Sequence, residues 1–257
     1  FFASYSQGFK SGTFNPRATT AEPAADPELV DSFEIGMKSE WNNRLRLNAT
    51  LFSIDHKDRQ FVSLLPSVGS GDLNQRLGNI GDSSSTGAEV EIKYAATDAL
   101  NIFFTLGLID SSFDNVKSFD VDGNKIDISD NFTIINTPEM TGNIGFSYDI
   151  ASSMGDFVIN GNYYYRSDYD LAVTDNLLTQ DGYGLLNVGI NWFSTDGNWS
   201  AGLHLKNLTD EEYLVGNYSF VTPQDDGSYL PGLGGDNTLI GYYGDPQTIA
   251  LTIAYQF

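Results

Sequence analysis

The ten residues TIALTIAYQF (248–257) alternate strictly. Ile249, Leu251, Ile253, Tyr255 and Phe257 make one row of large apolar side chains. Thr248, Ala250, Thr252, Ala254 and Gln256 make a small or polar one. Period two marks an extended strand with two unlike faces. Chain ends usually fray into polar tails, whereas this one reads as a strand held within a sheet. The spacing predicts a closed sheet whose final strand has one neighbour on each side.

The same alternation recurs upstream. Phe33, Ile35, Met37 and Trp41 face away from Ser32, Glu34, Gly36, Lys38 and Glu40. Further rows are Ala88/Val90/Ile92/Tyr94, Ile102/Phe104/Leu106/Leu108 and Met140/Ile144/Phe146/Tyr148/Ile150. Phe157/Ile159/Tyr163/Tyr165, Leu186/Val188/Ile190/Trp192 and Trp199/Ala201/Leu203/Leu205 follow. Within 44–61 the phase changes near Thr50, which predicts a bulge or a face switch.

Between these runs lie short turns at 42–44, 96–99, 151–156 and 194–198, and long connections at 10–30, 62–82, 111–138, 167–182 and 219–245. Short and long alternate throughout if 199–218 is one strand kinked at 207–212. That arrangement predicts ten strands with tight turns at one end and long loops at the other, as in an all-β, antiparallel transmembrane barrel with periplasmic turns and extracellular loops. Trp41, Tyr94, Tyr148, Phe157, Trp192, Trp199, Tyr255 and Phe257 fall at the tight-turn ends on the apolar row. This is the placement of an interfacial aromatic girdle. A soluble β-sandwich, such as a carbohydrate-binding or adhesion protein, also alternates. Its strands usually run about five or six residues. The runs here are nearer to ten, which suits a tilted bilayer crossing.

Composition narrows the partners. The chain has 257 residues and a net charge of −21, from 34 acidic against 13 basic residues. Such a balance argues against nucleic acid and against an anionic lipid surface. Cysteine is absent, which excludes disulfides and thiolate metal sites. No run approaches the ~18 apolar residues of a spanning helix, but barrel strands give only weak hydropathy signals. No signal peptide opens the chain, and FFASYSQGF already reads as a strand, so a processed or shortened N-terminus is expected.

Six stretches resemble TonB-dependent outer-membrane receptors: SYSQGFKSGTFN (4–15), ELVDSFEIGMKSEWNNRLRLNATLFSIDHKDRQ (28–60), NIGDSSSTGAEVEIKY (79–94), TPEMTGNIGFSY (137–148), LHLKNLTDEEYLVG (203–216) and GDPQTIALTIAYQF (244–257). They fall in that family's order across nearly the whole chain. The resemblance implies residues 1–257 as about the last ten strands of a 22-stranded barrel, without its first strands, plug or TonB box. It departs at Gln247, where the family usually carries Arg. It implies residence in the outer membrane of a Gram-negative bacterium and uptake of a scarce bulky solute, by default a ferric siderophore, energised by the TonB complex through the N-terminal part. The implied partners are lipid, the missing barrel half and plug, and the barrel assembly machinery, which would read the terminal Phe257. An unclosed sheet in lipid would leave unpaired backbone groups costing several kcal/mol each, so a partner segment is expected.

Individual side chains add less. His56 and His204 are the only histidines, and read as solvated. The pairs Glu89/Glu91 and Glu34/Glu40 arise by default on one strand face, so a small outer-membrane hydrolase is only the alternative reading. FDVDGNKIDISDN (119–131) has Gly123 fourth and Asn131 twelfth, where a calcium loop needs Gly sixth and Glu twelfth; a hairpin turning at Asp122–Gly123 fits better. The glycine-rich GSGD (69–72) and LGGD (233–236) precede no helix, so they make poor phosphate cradles. No cofactor or metal is expected. For solute capture the scarce cations near the long loops stand out: Lys10, Arg17, Arg59, Arg76 and Arg166. Arg166, Arg59 and Arg17 are the candidates for an anionic chelate, against the alternative that each balances a nearby carboxylate, as Asp168 and Asp170 would for Arg166. Tyr218, Phe220, Tyr229, Tyr242 and Tyr243 would stack on a solute or pack the loops.

Overall fold

In the computed structural model each alternating run is a strand; residues 1–17, 23–66, 73–119, 125–173, 178–219, 221–223, 229–230 and 239–257 are described. Ten strands form one antiparallel sheet and pair in chain order. They are β1 (Phe2–Lys10), β2 (Glu28–Trp41), β3 (Leu45–Pro66), β4 (Leu73–Ala95), β5 (Leu100–Phe113), β6 (Met140–Ser152), β7 (Gly155–Arg166), β8 (Tyr183–Phe193), β9 (Trp199–Lys206) and β10 (Thr248–Tyr255). Four smaller antiparallel pairs lie in the long connections: Lys117–Phe119 with Lys125–Asp127, Tyr169–Asp170 with Thr179–Gln180, Leu214–Ser219 with Leu239–Tyr243, and Thr222–Pro223 with Tyr229–Leu230.

All four tight turns fall where the sequence put them. Asn42 and Asn43 take left-handed φ of 52° and 53°, which asparagine tolerates well. Thr97 Oγ1 accepts from the Leu100 N–H at 2.9 Å, and Ser194 Oγ accepts from the Trp199 N–H at 2.9 Å.

Three details differ from expectation. First, β3 runs extended through Thr50; its left-handed residue is Asp58, at φ 54°. The apolar side chains do change parity near Thr50, but the backbone does not. Second, β3 and β4 continue well into 62–82, giving strands of 22 and 23 residues. Third, 199–218 is not one kinked strand. It breaks where Asn207 and Asp210 adopt φ of 48° and 53°, and Leu214–Ser219 then pairs in a sheet of its own.

The chain divides into two compact units. One comprises Phe1–Gly36, Thr50–Gly87 and Asp110–Ile134; the other Met37–Ala49, Ala88–Ile109 and Ile135–Phe257. In the second unit the register aligns the apolar rows across six strands. One line reads Leu100–Tyr148–Ile159–Ile190–Leu203–Leu251, the next Ile102–Phe146–Gly161–Val188–Leu205–Ile249. Towards the tight turns comes Ile150–Phe157–Trp192–Ala201–Ile253. In the first unit Tyr5 pairs with Phe33 and Ala3 with Ile35.

Nothing described covers these rows. Ile249, Leu251 and Ile253 are 65%, 70% and 66% exposed. The only buried hydrophobic residues among those described are Ala25, Val116, Tyr169, Leu171 and Tyr183, none of them in an apolar row. A sandwich needs a second layer over such a face, and the described residues supply none.

Candidate solute-binding face

The opposite face of the sheet is polar. At its tight-turn end in the second unit, Arg46 Nη2 reaches Glu40 Oε2 at 3.3 Å, Asn48 Nδ2 donates to Glu91 Oε2 at 3.0 Å, and Lys93 Nζ meets Glu91 Oε1 at 2.9 Å. Glu40, Arg46 and Lys93, with Asn101, Phe103 and Ser147, line a concavity of about 420 Å³. Glu40 and Glu91 are each engaged by a donor. In the first unit Glu34 accepts from Ser4 Oγ at 3.3 Å. The carboxylate pairs are thus parts of cross-strand polar networks.

Further along the same face, four asparagines link four consecutive segments. Asn162 Nδ2 donates to Asn143 Oδ1 (3.0 Å), Asn187 Nδ2 to Asn162 Oδ1 (3.3 Å), and the Asn207 N–H to Asn187 Oδ1 (3.0 Å). Asn207 is 4% exposed. Its Nδ2 donates to Glu211 O and Asp245 O, and its Oδ1 accepts from the Glu211 N–H. This side chain fixes the break after β9. Beside the ladder lies His204, opposite Gly189. A Cβ on Gly189 would lie 3.0 Å from His204 Nδ1, and one on Gly202 2.9 Å from Nε2, so both glycines make room for the ring. Asn160, Asn191 and Thr252 also approach these glycines. The neighbours of these glycines are amides and a hydroxyl, and among the described residues no carboxylate lies within 4.0 Å of the His204 ring, where a hydrolytic base pair would need one.

The loop end of the second unit holds Arg166. It shares a row with Thr141 and Tyr183. Its Cζ sits 4.1 Å over the Tyr169 ring, a cation–π contact. Nη2 donates to Asn136 O at 3.2 Å, while the buried Nε has no partner. Among the described residues no carboxylate comes within 4.0 Å of its guanidinium, Asp168 and Asp170 included. Tyr183 stacks on Tyr213 at 4.4 Å. Tyr169 Oη donates to Leu214 O at 2.7 Å, and the Leu214 N–H to Gln180 Oε1 at 2.6 Å. Leu171, Leu178 and Leu185 pack against this nest. Burial, with neighbouring Tyr183, pushes the Tyr169 hydroxyl up to about 12, so it stays a neutral donor beside the cation.

In the first unit, the network at the loop end centres on Glu28, which is 8% exposed. Its carboxylate accepts from Lys10 Nζ (3.0 Å) and the Gln60 N–H (2.8 Å), and lies 2.8 Å from His56 Nε2. Arg59 Nη1 donates to Ser83 Oγ at 3.1 Å, and its Cζ lies 4.9 Å from the Phe113 ring centroid. Phe113 meets Phe132 edge-on at 5.8 Å.

The remaining candidates scatter. Arg17 is exposed in the β1–β2 connection, where its N–H bonds Asn15 Oδ1. The side chains of Arg76 and Tyr229, and Phe220 as a whole, lie outside the described residues, as do 69–72, 233–236 and the turn at Asp122–Gly123. The segments flanking that turn do pair as a hairpin, Phe119 opposite Lys125. Asp127 there is taken by Lys117 and Ser129. Tyr218, Tyr242 and Tyr243 are exposed. No group of three metal-ligating side chains occurs among the described residues.

At the tight-turn end Trp41, Tyr94, Tyr148, Trp199, Tyr255 and Phe257 are exposed. Trp192 Nε1 donates to Met154 O, and the Trp199 and Tyr255 rings lie 4.7 Å apart. Sequence reasoning put Tyr163 and Tyr165 on the apolar row, six and eight residues along from Phe157, but did not single them out as interface rings. It also missed the Tyr169/Tyr183/Tyr213 nest and the setting of Arg59. For the asparagine ladder a signal existed, namely the asparagines on the polar rows of β6 (Asn143), β7 (Asn160 and Asn162) and β8 (Asn187 and Asn191).

An all-antiparallel meander, apolar on one uncovered face and polar on the other, defines a membrane-barrel type of sheet. The model of the TonB-dependent receptor-like β-barrel family matches residues 1–208. The chain belongs to that family, whose members are transport receptors of the Gram-negative outer membrane and not enzymes. Among solved structures, the ferric yersiniabactin uptake receptor FyuA from Yersinia pestis is similar at 19% identity and a TM-score of 0.74, over 99% of this chain and 34% of that one. The siderophore receptor PiuA from Acinetobacter baumannii is 18% identical, with a TM-score of 0.69, over 98% and 33%. The copper transporter OprC is 14% identical, with a TM-score of 0.66, over 99% and 36%. The chain thus spans about a third of the length of these proteins.

Proposed function

We propose that residues 1–257 are the C-terminal strands of an outer-membrane receptor that imports an anionic iron chelate of the siderophore class, driven through TonB. The rest of the barrel and its plug would come from the remainder of the protein. The observation that carries this reading is the uncovered apolar face of the second unit, backed by a polar face whose loop end holds Arg166. In this reading the apolar rows meet lipid. From Phe157 to Tyr165 there are eight steps, or ~26 Å of strand at ~3.3 Å each. Tilted by ~40°, that rises ~20 Å, close to the ~25 Å apolar band of such barrels. Trp41, Tyr94, Tyr148, Trp192, Trp199, Tyr255 and Phe257 would then sit at one interface, with Tyr163 and Tyr165 near the other. The terminal Phe257 would serve recognition by the barrel assembly machinery.

Arg166 suits an oxygen anion because its charge is held by a ring and a carbonyl and not by a carboxylate. Siderophore receptors among the similar structures favour an iron chelate, and the copper transporter marks a bare metal ion as the competing cargo. The test is uptake of radiolabelled iron by cells expressing the full-length receptor, supplied as iron chelates or as the free salt. Accumulation that depends on an intact TonB system and on one chelate supports the proposal. Equal accumulation from the free salt, or none from any chelate, overturns it.

A further inference from the structure

We propose that Arg59, in the first unit, forms an anion site that takes a carboxylate or phenolate carried on an aromatic ring. The argument starts from strand parity. In β3 Lys57 reaches Asp31 Oδ2 at 3.9 Å. Asp31 also accepts from Tyr5 Oη and Gln7 Nε2, so Lys57 shares the face of Tyr5 and Phe33. His56 reaches Glu28, which pairs with Lys10 on the polar face. Simple alternation would send Arg59 to the face of Lys57, away from His56. It does not go there. Asp58 takes a left-handed φ of 54°, and the alternation skips a beat, as at a β-bulge. Arg59 therefore lands on the polar face, against Ser83 and Phe113. Ser83 is 5% exposed and Phe113 part-buried.

The chain invests bonds in this inversion. The Asp58 N–H donates to Asp82 Oδ1 at 2.9 Å, and Asp58 O accepts from Asn79 Nδ2. Asn79 in turn accepts from the Asp26 N–H at 2.7 Å. What the bulge delivers is a half-buried guanidinium with no carboxylate within 4.0 Å among the described residues. Glu28, a carboxylate whose charge acts on it, already accepts from Lys10 and the Gln60 N–H and meets His56. A fork-shaped cation beside the Phe113 ring, which Phe132 meets edge-on, matches a planar anion: charge for its oxygens, aromatic surface for its ring.

The test is ligand-observed NMR titration of the purified full-length receptor in detergent micelles, using benzoate, its neutral isostere benzamide, and acetate. It needs no uptake, so it stands or falls apart from the transport assay. Benzoate should bind at least tenfold tighter than benzamide. Arg59→Gln should erase that preference, and Arg59→Lys should retain part of it. Phe113→Leu should weaken benzoate severalfold and leave acetate unchanged, which keeps the test decisive if Arg59→Gln fails to fold. Equal binding of benzoate and benzamide overturns the proposal. So does a preference that survives Arg59→Gln. Absence of benzoate binding in the native receptor would mean that a carboxylate of the protein already occupies Arg59, and this too overturns it.

Discussion

Arg166 and Asn207 show what one side chain decides here. If Arg166 contacts an anionic chelate, Arg166→Gln removes a charge-assisted contact worth ~1.5–3 kcal/mol, or roughly 10- to 100-fold in affinity. Binding of the iron chelate to purified receptor measures this, and an unchanged affinity would show that the solute binds elsewhere. Asn207→Ala strands two carbonyls and one N–H group, and should cost ~2–4 kcal/mol; chemical denaturation checks it. Tyr169 titrates against water through its burial. Its raised value means that the neutral form stabilises the nest fully below the ordinary tyrosine value, and that this contribution is lost as pH rises through about 12. Phenolate absorbance should show a last-titrating group that Tyr169→Phe abolishes. At this scale the sequence was least readable. Arg166 was a candidate, but its obvious counter-ions, Asp168 and Asp170, do not pair with it. Tyr183 and Tyr213 are brought to it from 17 and 47 residues away by pairing that no local pattern encodes.

At the scale of strands and hairpins, period two was enough. All ten sheet strands and all four tight turns were legible, because each strand has one uncovered apolar face and so cannot slip register by one residue. Two kinds of feature were not. A bulge needs only one left-handed residue, and Asp58 advertises this no more than its neighbours do. The parity change near Thr50 looked like a bulge but reflects which side chains are apolar, on a strand that stays extended. Faces differ in what they tolerate. Leu203→Arg should cost ~2–4 kcal/mol if that row lies in hydrocarbon, whereas Thr252→Arg on the polar row should cost far less; refolding into lipid vesicles compares them. The small hairpin at 117–127 is held differently. The Lys117 ammonium, with the Ser129 hydroxyl and N–H, keeps the Asp127 carboxyl well below the usual carboxylate range. Its stabilisation is present above the ordinary value of 3.8 and is lost as pH falls through the depressed one. Amide protection in this hairpin should collapse in acid, and Asp127→Asn should flatten that dependence.

The whole molecule follows from a single asymmetry between faces. If the uncovered rows meet lipid, the receptor should resist extraction by alkali and high salt, and photolabels dissolved in the bilayer should mark Ile249, Leu251 and Ile253 but spare Thr248, Ala250 and Thr252. Recovery in the soluble fraction, or labelling of both rows alike, would contradict the assignment. Fold class and family were within reach of the sequence because they depend on the repeated pattern. The solute was not, because it depends on a few cations and rings gathered from distant loops.

β3 and β4, of 22 and 23 residues, are about twice as long as a bilayer crossing requires. The surplus stays hydrogen-bonded as sheet and does not dissolve into loop. Arg59 and Ser83 ride on that surplus, fixed in place before any guest arrives. An anion docking there would freeze few new torsions, so little of its attraction would be spent on ordering the host. In this part of the receptor, discrimination would come from a stiff template, and mutations that alter the guest would have to re-aim side chains on paired strands instead of remoulding a pliable loop.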